Sequence, residues 1–409
     1  MESNGTAPEE NGKARDASPC TTSSTPLKHQ AKAATLLEAC KWRDIEALRR
    51  LATSEGGLVS DEIRRLAWPM LLGHPSQDDS TRLEKEHIDS WEDLPEHRDE
   101  DQVQLDVNRS FIYYPNDQSV EALDRRKREL SDLITEVLRR QPYLHYFQGY
   151  HDICQVFLLV LEPQSRASAV ARLSALRIRD FMLPTLAPAL AQLRLIPSIL
   201  YAVDPMLCNH LSQTQPFFAL SGTLTMYAHD IQEYSDIARL FDVFLAREAV
   251  FSVYMFAQIV LQRSDELFET PADEPEMLHS ILSKLPKPLD LEALIQNTVK
   301  LIENYPPETL RTWRSISNYS VLKTTCWHAQ PINQTLEDGE EYFKKHVKEI
   351  QRAEQRKKIL QTIWRYRRPA GTIGLAILVG VLSFWPRRSS GPPGVWGILW
   401  SQMSSIQWR

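Results

Sequence analysis

YLHYFQGYHDICQVFLLVLEP, residues 143–163, joins a polar, aromatic turn to a run that is almost wholly apolar. From Ile153 to Leu161 there is too little polar surface to face water on any side, so a helix there belongs at the centre of a core. Gln148 and Gly149 stand directly before that helix, and a core helix needs neither. A second stretch, QVQLDVNRSF at 102–111, poses the matching question. Its Asp106 and Arg109 lie three residues apart on an amphipathic segment, the spacing at which helical side chains meet.

Outward from these stretches the pattern stays helical. From about Ala31, Leu36, Leu37, Cys40, Ile45 and Leu48 recur at three- and four-residue intervals until Gly56-Gly57 breaks the run. Ser60 then precedes DEIRRLAWPMLLG, where Ile63, Leu66, Ala67, Leu71 and Leu72 are the apolar positions. Arg64 and Trp68, four apart, share one face and are expected to stack; Pro69 shortens or kinks this helix. Residues 74–101 are polar and acidic and read as a surface loop. Asp117 or Ser119 opens a helix carrying Leu123, Leu130, Leu133, Ile134, Val137 and Leu138, which ends before Pro142. Further helices are expected over 165–182, 186–201, 216–231, 234–246, 249–268, 274–284 and 289–304. In the 234–246 helix, Arg239 and Asp242 are expected to form an internal salt bridge. Period-two alternation is scarce, no Asn-Gly or Asp-Gly turn joins alternating runs, and no fixed repeat is visible. The fold class is all-α, with a multi-helix domain over 31–310 and its motif-bearing part at about 55–270.

Composition excludes several functions. The net charge of −6 gives no argument for nucleic-acid binding. The five cysteines are scattered without a CxxC pair, which fits a reducing compartment and no cysteine zinc site. His145, His151 and Cys154 invite a metal or cysteine-hydrolase reading, but His145 and His151 are six apart and do not share a helical face, and Cys154 opens the apolar run. No metal is expected. No GxxxxGK[ST] phosphate loop occurs, so no nucleotide cofactor of its own is expected. Residues 1–30 lack the apolar stretch of a secretory signal and read as a disordered arm.

The C-terminal quarter changes character. Residues 311–368 read as a charged linker or helix. PAGTIGLAILVGVLSFWP, 369–386, then carries no charge. At about 1.5 Å per residue its 18 residues reach roughly 25 Å, near the hydrocarbon thickness of a thin bilayer. One C-terminal transmembrane helix is expected there, with a short tail at 387–409. Six basic residues in 355–368 against Arg387 and Arg388 beyond place the helical domain in the cytosol. The short span favours the endoplasmic reticulum membrane.

An arginine and a glutamine, each in a short motif, suit one chemistry. A planar guanidinium stabilises charge developing in phosphoryl transfer, and a carboxamide, donor and acceptor at once, orients an attacking water. Asp106 is placed to hold Arg109, and Gly149 to let the backbone beside Gln148 approach another surface.

These residues resemble a family. VQLDVNR (103–109) is similar to the I-x-x-D-x-x-R motif of TBC domains, with valine for isoleucine. YFQG (146–149) is similar to their Y-x-Q-G motif, which adds Tyr146 to the set. IRRLAW (63–68) and RLFD (239–242) resemble two further segments of the domain, through Arg64, Trp68, Arg239 and Asp242. The resemblance implies an all-helical GTPase-activating protein for Rab GTPases. By it, Arg109 is an arginine finger and Gln148 a glutamine finger, and GTP and Mg²⁺ arrive on the Rab partner. The likeness extends through SEGGLVSDEIRR, LHYFQGYHDI and RDFM to a member anchored at the endoplasmic reticulum. That implies a GTP-bound Rab of ER-to-Golgi traffic as partner, with a catalytically silent Rab-binding tether as the alternative.

Overall fold

The computed structural model describes residues 25–74, 90–115, 119–326 and 333–384, and every regular element among them is helical. The chain divides into two units, Met1–His346 and Val347–Arg409. The helices that shape the first are α1 (Thr25–Lys41), α2 (Ile45–Thr53), α3 (Asp61–Leu71), α4 (Glu100–Val107), α5 (Val120–Arg140), α6 (Tyr150–Val160), α7 (Pro163–Leu176), α8 (Tyr234–Ala246), α9 (Phe251–Gln262) and α10 (Leu291–Asn304). A last helix, α11, runs Leu336–Phe384.

Local chemistry sets several of these boundaries. Asp44 caps α2 by accepting from Ala47 N at 2.9 Å, and Ser119 caps α5 by accepting from Ala122 N at 3.3 Å. Pro69 lies inside the last turn of α3, where it removes the hydrogen bond to the Arg65 carbonyl, and the helix ends two residues later at Leu71. The helix expected over 216–231 is not continuous. A short α-helix occupies Leu220–Leu224, and Met226 and Tyr227 then take φ of +50° and +63°, which no right-handed helix accommodates.

The core is built around α3, α6 and α8. Trp68 is fully buried, its ring centroid 5.4 Å from Phe157 and 5.9 Å from Phe241. Nearly every side chain of α6 and α8 is buried, which explains the near-continuous apolar run of α6.

At the centre of this packing sits Asp242, with no exposed side-chain surface. Its carboxylate accepts from Arg64 Nε and Nη2, both at 3.0 Å, from Trp68 Nε1 at 2.8 Å and from Leu58 N at 3.0 Å. The expected Arg64–Trp68 stack is therefore corrected: the shared face aims both side chains at a third residue. The expected Arg239–Asp242 bridge is corrected too. Arg239 instead forks onto Glu292 of α10 at 2.6 and 3.0 Å and donates to the carbonyls of Ala52 and Ser54. Arg239 and Asp242 thus face different partners and tie α8 to α10 and α3 respectively. Gly57, at φ +53°, lets the turn between α2 and α3 pass over this pair; a Cβ there would stand 2.5 Å from Asp242 Oδ2.

The compact unit continues beyond residue 310, where a charged linker was expected. Trp313, Val321, Leu322 and Phe343 are all buried. Tyr143 and Phe343 meet edge to face at 5.1 Å, and Gly339 packs closely on Ala175. The charged pattern of 337–346 hid these contacts because Gly339, Phe343 and His346 form a narrow stripe in a mostly charged segment.

Among the described residues no helix is long and apolar enough to cross a membrane. The anchor expected at 369–386 falls largely on residues or side chains outside that description, as do the tail at 387–409 and the arm up to residue 24.

Removing the Asp242 carboxylate leaves two buried donors on Arg64 and one on Trp68 without an acceptor. Asp242→Ala should lower unfolding stability by about 3–5 kcal/mol, read from urea denaturation followed by tryptophan fluorescence.

Candidate functional site

The site is assembled on the ends of α4 and α6. Glu100, in the first turn of α4, pairs in fork geometry with Arg139 near the end of α5, at 2.7 and 2.8 Å. The Arg139 hydrogen bond holds the Glu100 carboxyl below its ordinary pKa. Lys127 Nζ donates to Asn108 O at 2.7 Å and fixes the other end of α4 to α5. The helix is thereby held at both ends by the same neighbour.

Asp106 is the organising residue. It is 1% exposed, yet its carboxylate gathers three donors: Gln102 Nε2 at 3.2 Å, Arg109 Nη2 at 3.1 Å and Tyr146 Oη at 3.0 Å. The two motif-bearing stretches are therefore joined through one carboxylate. Arg109 follows the end of α4, and its side chain is 66% exposed although two nitrogens are held, Nη2 by Asp106 and Nε by Leu105 O at 3.4 Å. The guanidinium is thus oriented from below and presented to solvent.

Tyr146 is fixed at both ends, since its backbone N–H donates to Asp99 Oδ2 at 2.9 Å. Burial, and then the adjacent Asp106, push its phenol far above the ordinary range, so the hydroxyl stays protonated as a donor. His151 Nδ1 lies 3.3 Å from Tyr146 Oη. Burial pushes the His151 pKa down against the pull of Asp152 and Asp106, which keeps the ring neutral near pH 7.

Gln148 lies exposed in the loop before α6, two residues after this anchored tyrosine. Gly149 follows at φ +97°, in the left-handed region, and a Cβ there would stand 2.6 Å from Thr225 Cγ2. Backbone conformation and close approach both call for glycine at this position. Beyond it, Asp152 in the first turn of α6 accepts from His229 Nδ1 at 3.0 Å, a bond that raises the His229 pKa.

Sequence reading passed over Gln155. This buried glutamine of α6 accepts from Phe111 N at 2.9 Å through Oε1 and donates to Tyr114 O at 3.4 Å. It holds the segment after Arg109, where Phe111 takes φ +62°. A lone amide in the run ICQVFLLV was the available signal, because a buried amide must find partners. Cys154 is fully buried beside it, and burial pushes its thiol far up. Among the described residues no group of His, Cys, Asp or Glu side chains is arranged to hold a metal. Arg64, Trp68, Arg239 and Asp242 belong to the core network described above, apart from these residues in their bonding.

What this arrangement offers is one exposed, pre-oriented guanidinium and one exposed carboxamide on a rigid base. It has no nucleophile paired with a base. Such a pair of side chains complements a phosphoryl-transfer site supplied by another molecule.

Comparison with known proteins bears on this reading. The description of the Rab-GTPase-TBC domain matches residues 61–268, which include all four motif segments. The chain is 37% identical over 269 residues to TBC1 domain family member 20 of Bos taurus, covering 65% of this chain and 65% of that relative. It is 34% identical over 304 residues to GTPase-activating protein gyp10 of Schizosaccharomyces pombe, covering 73% of this chain and 78% of that protein. In three dimensions it shares the fold of the Ypt/Rab-GAP domain of Gyp1p, with a TM-score of 0.52 at 17% identity, over 64% of this chain and 93% of that one.

Gly149→Ala should destabilise the protein by at least the ~1–2 kcal/mol of a left-handed alanine, with the Thr225 clash in addition. Combining it with Thr225→Ser should recover only the steric part. Thermal unfolding of the two single variants and the double variant separates the contributions.

Proposed function

This chain belongs to the Rab-GTPase-TBC domain family, and we propose that it accelerates GTP hydrolysis by a Rab GTPase in trans. In this reading Arg109 stabilises the charge that develops on the transferred phosphoryl group, and Gln148 orients the attacking water. The observation that carries the reading is the Asp106 carboxylate, which ties the exposed Arg109 to Tyr146 in the loop of Gln148. An arginine that must act on a partner's substrate has to be exposed before docking and still held in one orientation. A guanidinium held through Nε and Nη2 on a side chain that stays 66% exposed meets both requirements. The neutral phenol of Tyr146 shares the carboxylate without competing for charge. GTP and Mg²⁺ enter bound to the Rab, and this chain supplies polar groups only.

The scale of the effect follows from the chemistry. An arginine finger is worth roughly 10³–10⁵ in rate, about 4–7 kcal/mol of barrier. Lysine offers a point charge in place of the planar fork and replaces it poorly. For single-turnover GTP hydrolysis across a panel of Rab proteins, Arg109→Ala should abolish nearly all acceleration, and Arg109→Lys should restore little. Gln148→Ala should lose most of it with Rab binding retained. Acceleration that survives Arg109→Ala on a responsive Rab would refute the finger assignment. Binding with no acceleration by the unaltered chain would indicate a tether.

We further propose that the uncharged residues 369–386 anchor the chain in a membrane, with the helical unit on the cytosolic side. The endoplasmic reticulum is the proposed address, and a Rab of ER-to-Golgi traffic the proposed partner. The composition of 369–386 and the basic residues before it support the anchor. Confinement to one membrane would raise the effective concentration of a lipidated Rab without any new contact. Ending the chain after His346 should leave solution activity unchanged and abolish sedimentation with phosphatidylcholine membranes that carry no phosphoinositide. Membrane sedimentation that persists would show that the attachment lies elsewhere.

A further inference from the structure

We propose that the cleft between α5, the end of α6 and the start of α7 binds a phosphate-bearing polyanion. The cleft is open to solvent, has a volume of about 410 Å³ and is lined by Arg125, Arg126, Glu129, Leu158, Leu159 and Arg166. None of these residues belongs to the Asp106 site, and the proposal stands apart from the reading of that site.

Three guanidinium groups here meet one carboxylate, and that carboxylate is engaged. Glu129 Oε2 accepts from Arg166 Nη1 at 3.1 Å, while Arg166 Nε donates to Leu161 O at 2.9 Å. Arg166 is thereby fixed at the wall of the cleft, 19% exposed. Arg125 and Arg126 have no ion pair or hydrogen bond among the described residues. Arg126 Nη1 is also shielded from solvent and meets no acceptor. A cationic N–H removed from water without an acceptor is unfavourable, and the neighbouring Arg125 and Arg166 charges add repulsion. An anion seated in the cleft relieves the repulsion among these charges.

Phosphate is the anion that fits. A guanidinium presents parallel N–H groups that match two phosphate oxygens, and a tetrahedral phosphate serves more than one such fork at once. A carboxylate side chain offers two oxygens and one negative charge, a phosphate ester three free oxygens and up to two charges. The volume is that of a small-molecule site rather than of a peptide groove. Two sources share this chemistry, a soluble inositol phosphate and the headgroup of a phosphoinositide in a bilayer.

The experiment uses the full chain. Inositol trisphosphate binding is measured by calorimetry, and flotation is measured with phosphatidylcholine vesicles with and without phosphatidylinositol bisphosphate. The unaltered chain should bind the trisphosphate with an affinity that falls with salt. Arg125→Gln/Arg126→Gln should weaken binding tenfold or more, and the charge-matched Arg311→Gln/Arg314→Gln should leave it nearly unchanged. Thermal midpoints without ligand report that the variants are folded, and the exposed single change Arg125→Gln should alone cost several-fold. Binding to trisphosphate and a bisphosphate-dependent gain in flotation would identify the lipid headgroup as the source; binding to trisphosphate without that gain would identify the soluble one. No binding to either probe, equal weakening by both double variants, or tighter binding of a hexaglutamate peptide than of the trisphosphate would each overturn the proposal.

Discussion

One buried carboxylate sets the geometry on which the domain rests. Asp242 receives four hydrogen bonds from α3 and from the turn before it, at a position with no access to water. An isolated ionised carboxylate there would be prohibitively costly, so the fold is committed to delivering Arg64 and Trp68 to it. Delivery fixes the crossing of α3 and α8, seats Trp68 between Phe157 and Phe241, and so sets the face against which α6 packs. Gly57 belongs to the same arrangement, because any side chain there would occupy the place of the Asp242 oxygen.

Asp106 repeats the device with a different outcome. It too is buried, and it accepts from Gln102 and Arg109 of its own segment and from Tyr146 of another. At Asp242 both partners are enclosed and the network serves cohesion. At Asp106 one partner, Arg109, extends outward with two thirds of its side chain exposed. Burying the anchor and exposing the head converts a structural ion pair into a presented functional group. The surrounding bonds, Glu100 to Arg139, Lys127 to Asn108 and Gln155 to Phe111, stiffen the base from which it extends.

Much of the site was legible in the linear sequence because its parts are local. Asp106 and Arg109 are three apart and meet as helical neighbours must, and Gln148-Gly149 precedes a run whose apolar character demanded burial. The need for glycine at 149 was readable in kind, but its reason was not. Thr225, which forbids a Cβ there, is distant in the chain. Gln155 was overlooked because its neighbours in sequence are core residues and its partners lie in another segment. The stacking expected of Arg64 and Trp68 failed for the same reason: their shared face was correctly placed, but the acceptor they both reach belongs to α8.

By itself, then, the sequence determined the helical class, the core status of α6, and the pairing of Asp106 with Arg109. These follow from periodicity and from spacings within one turn, where the backbone alone sets the distance. Only the tertiary structure decided that Asp242 is the common acceptor, that Arg239 turns to Glu292, that Trp313, Val321, Leu322 and Phe343 are buried in the compact unit, and that Tyr146 joins Asp106 across the two motifs. Each of these is a contact between segments far apart in the chain, and a hydrogen-bonding side chain has several chemically adequate partners until packing leaves it one.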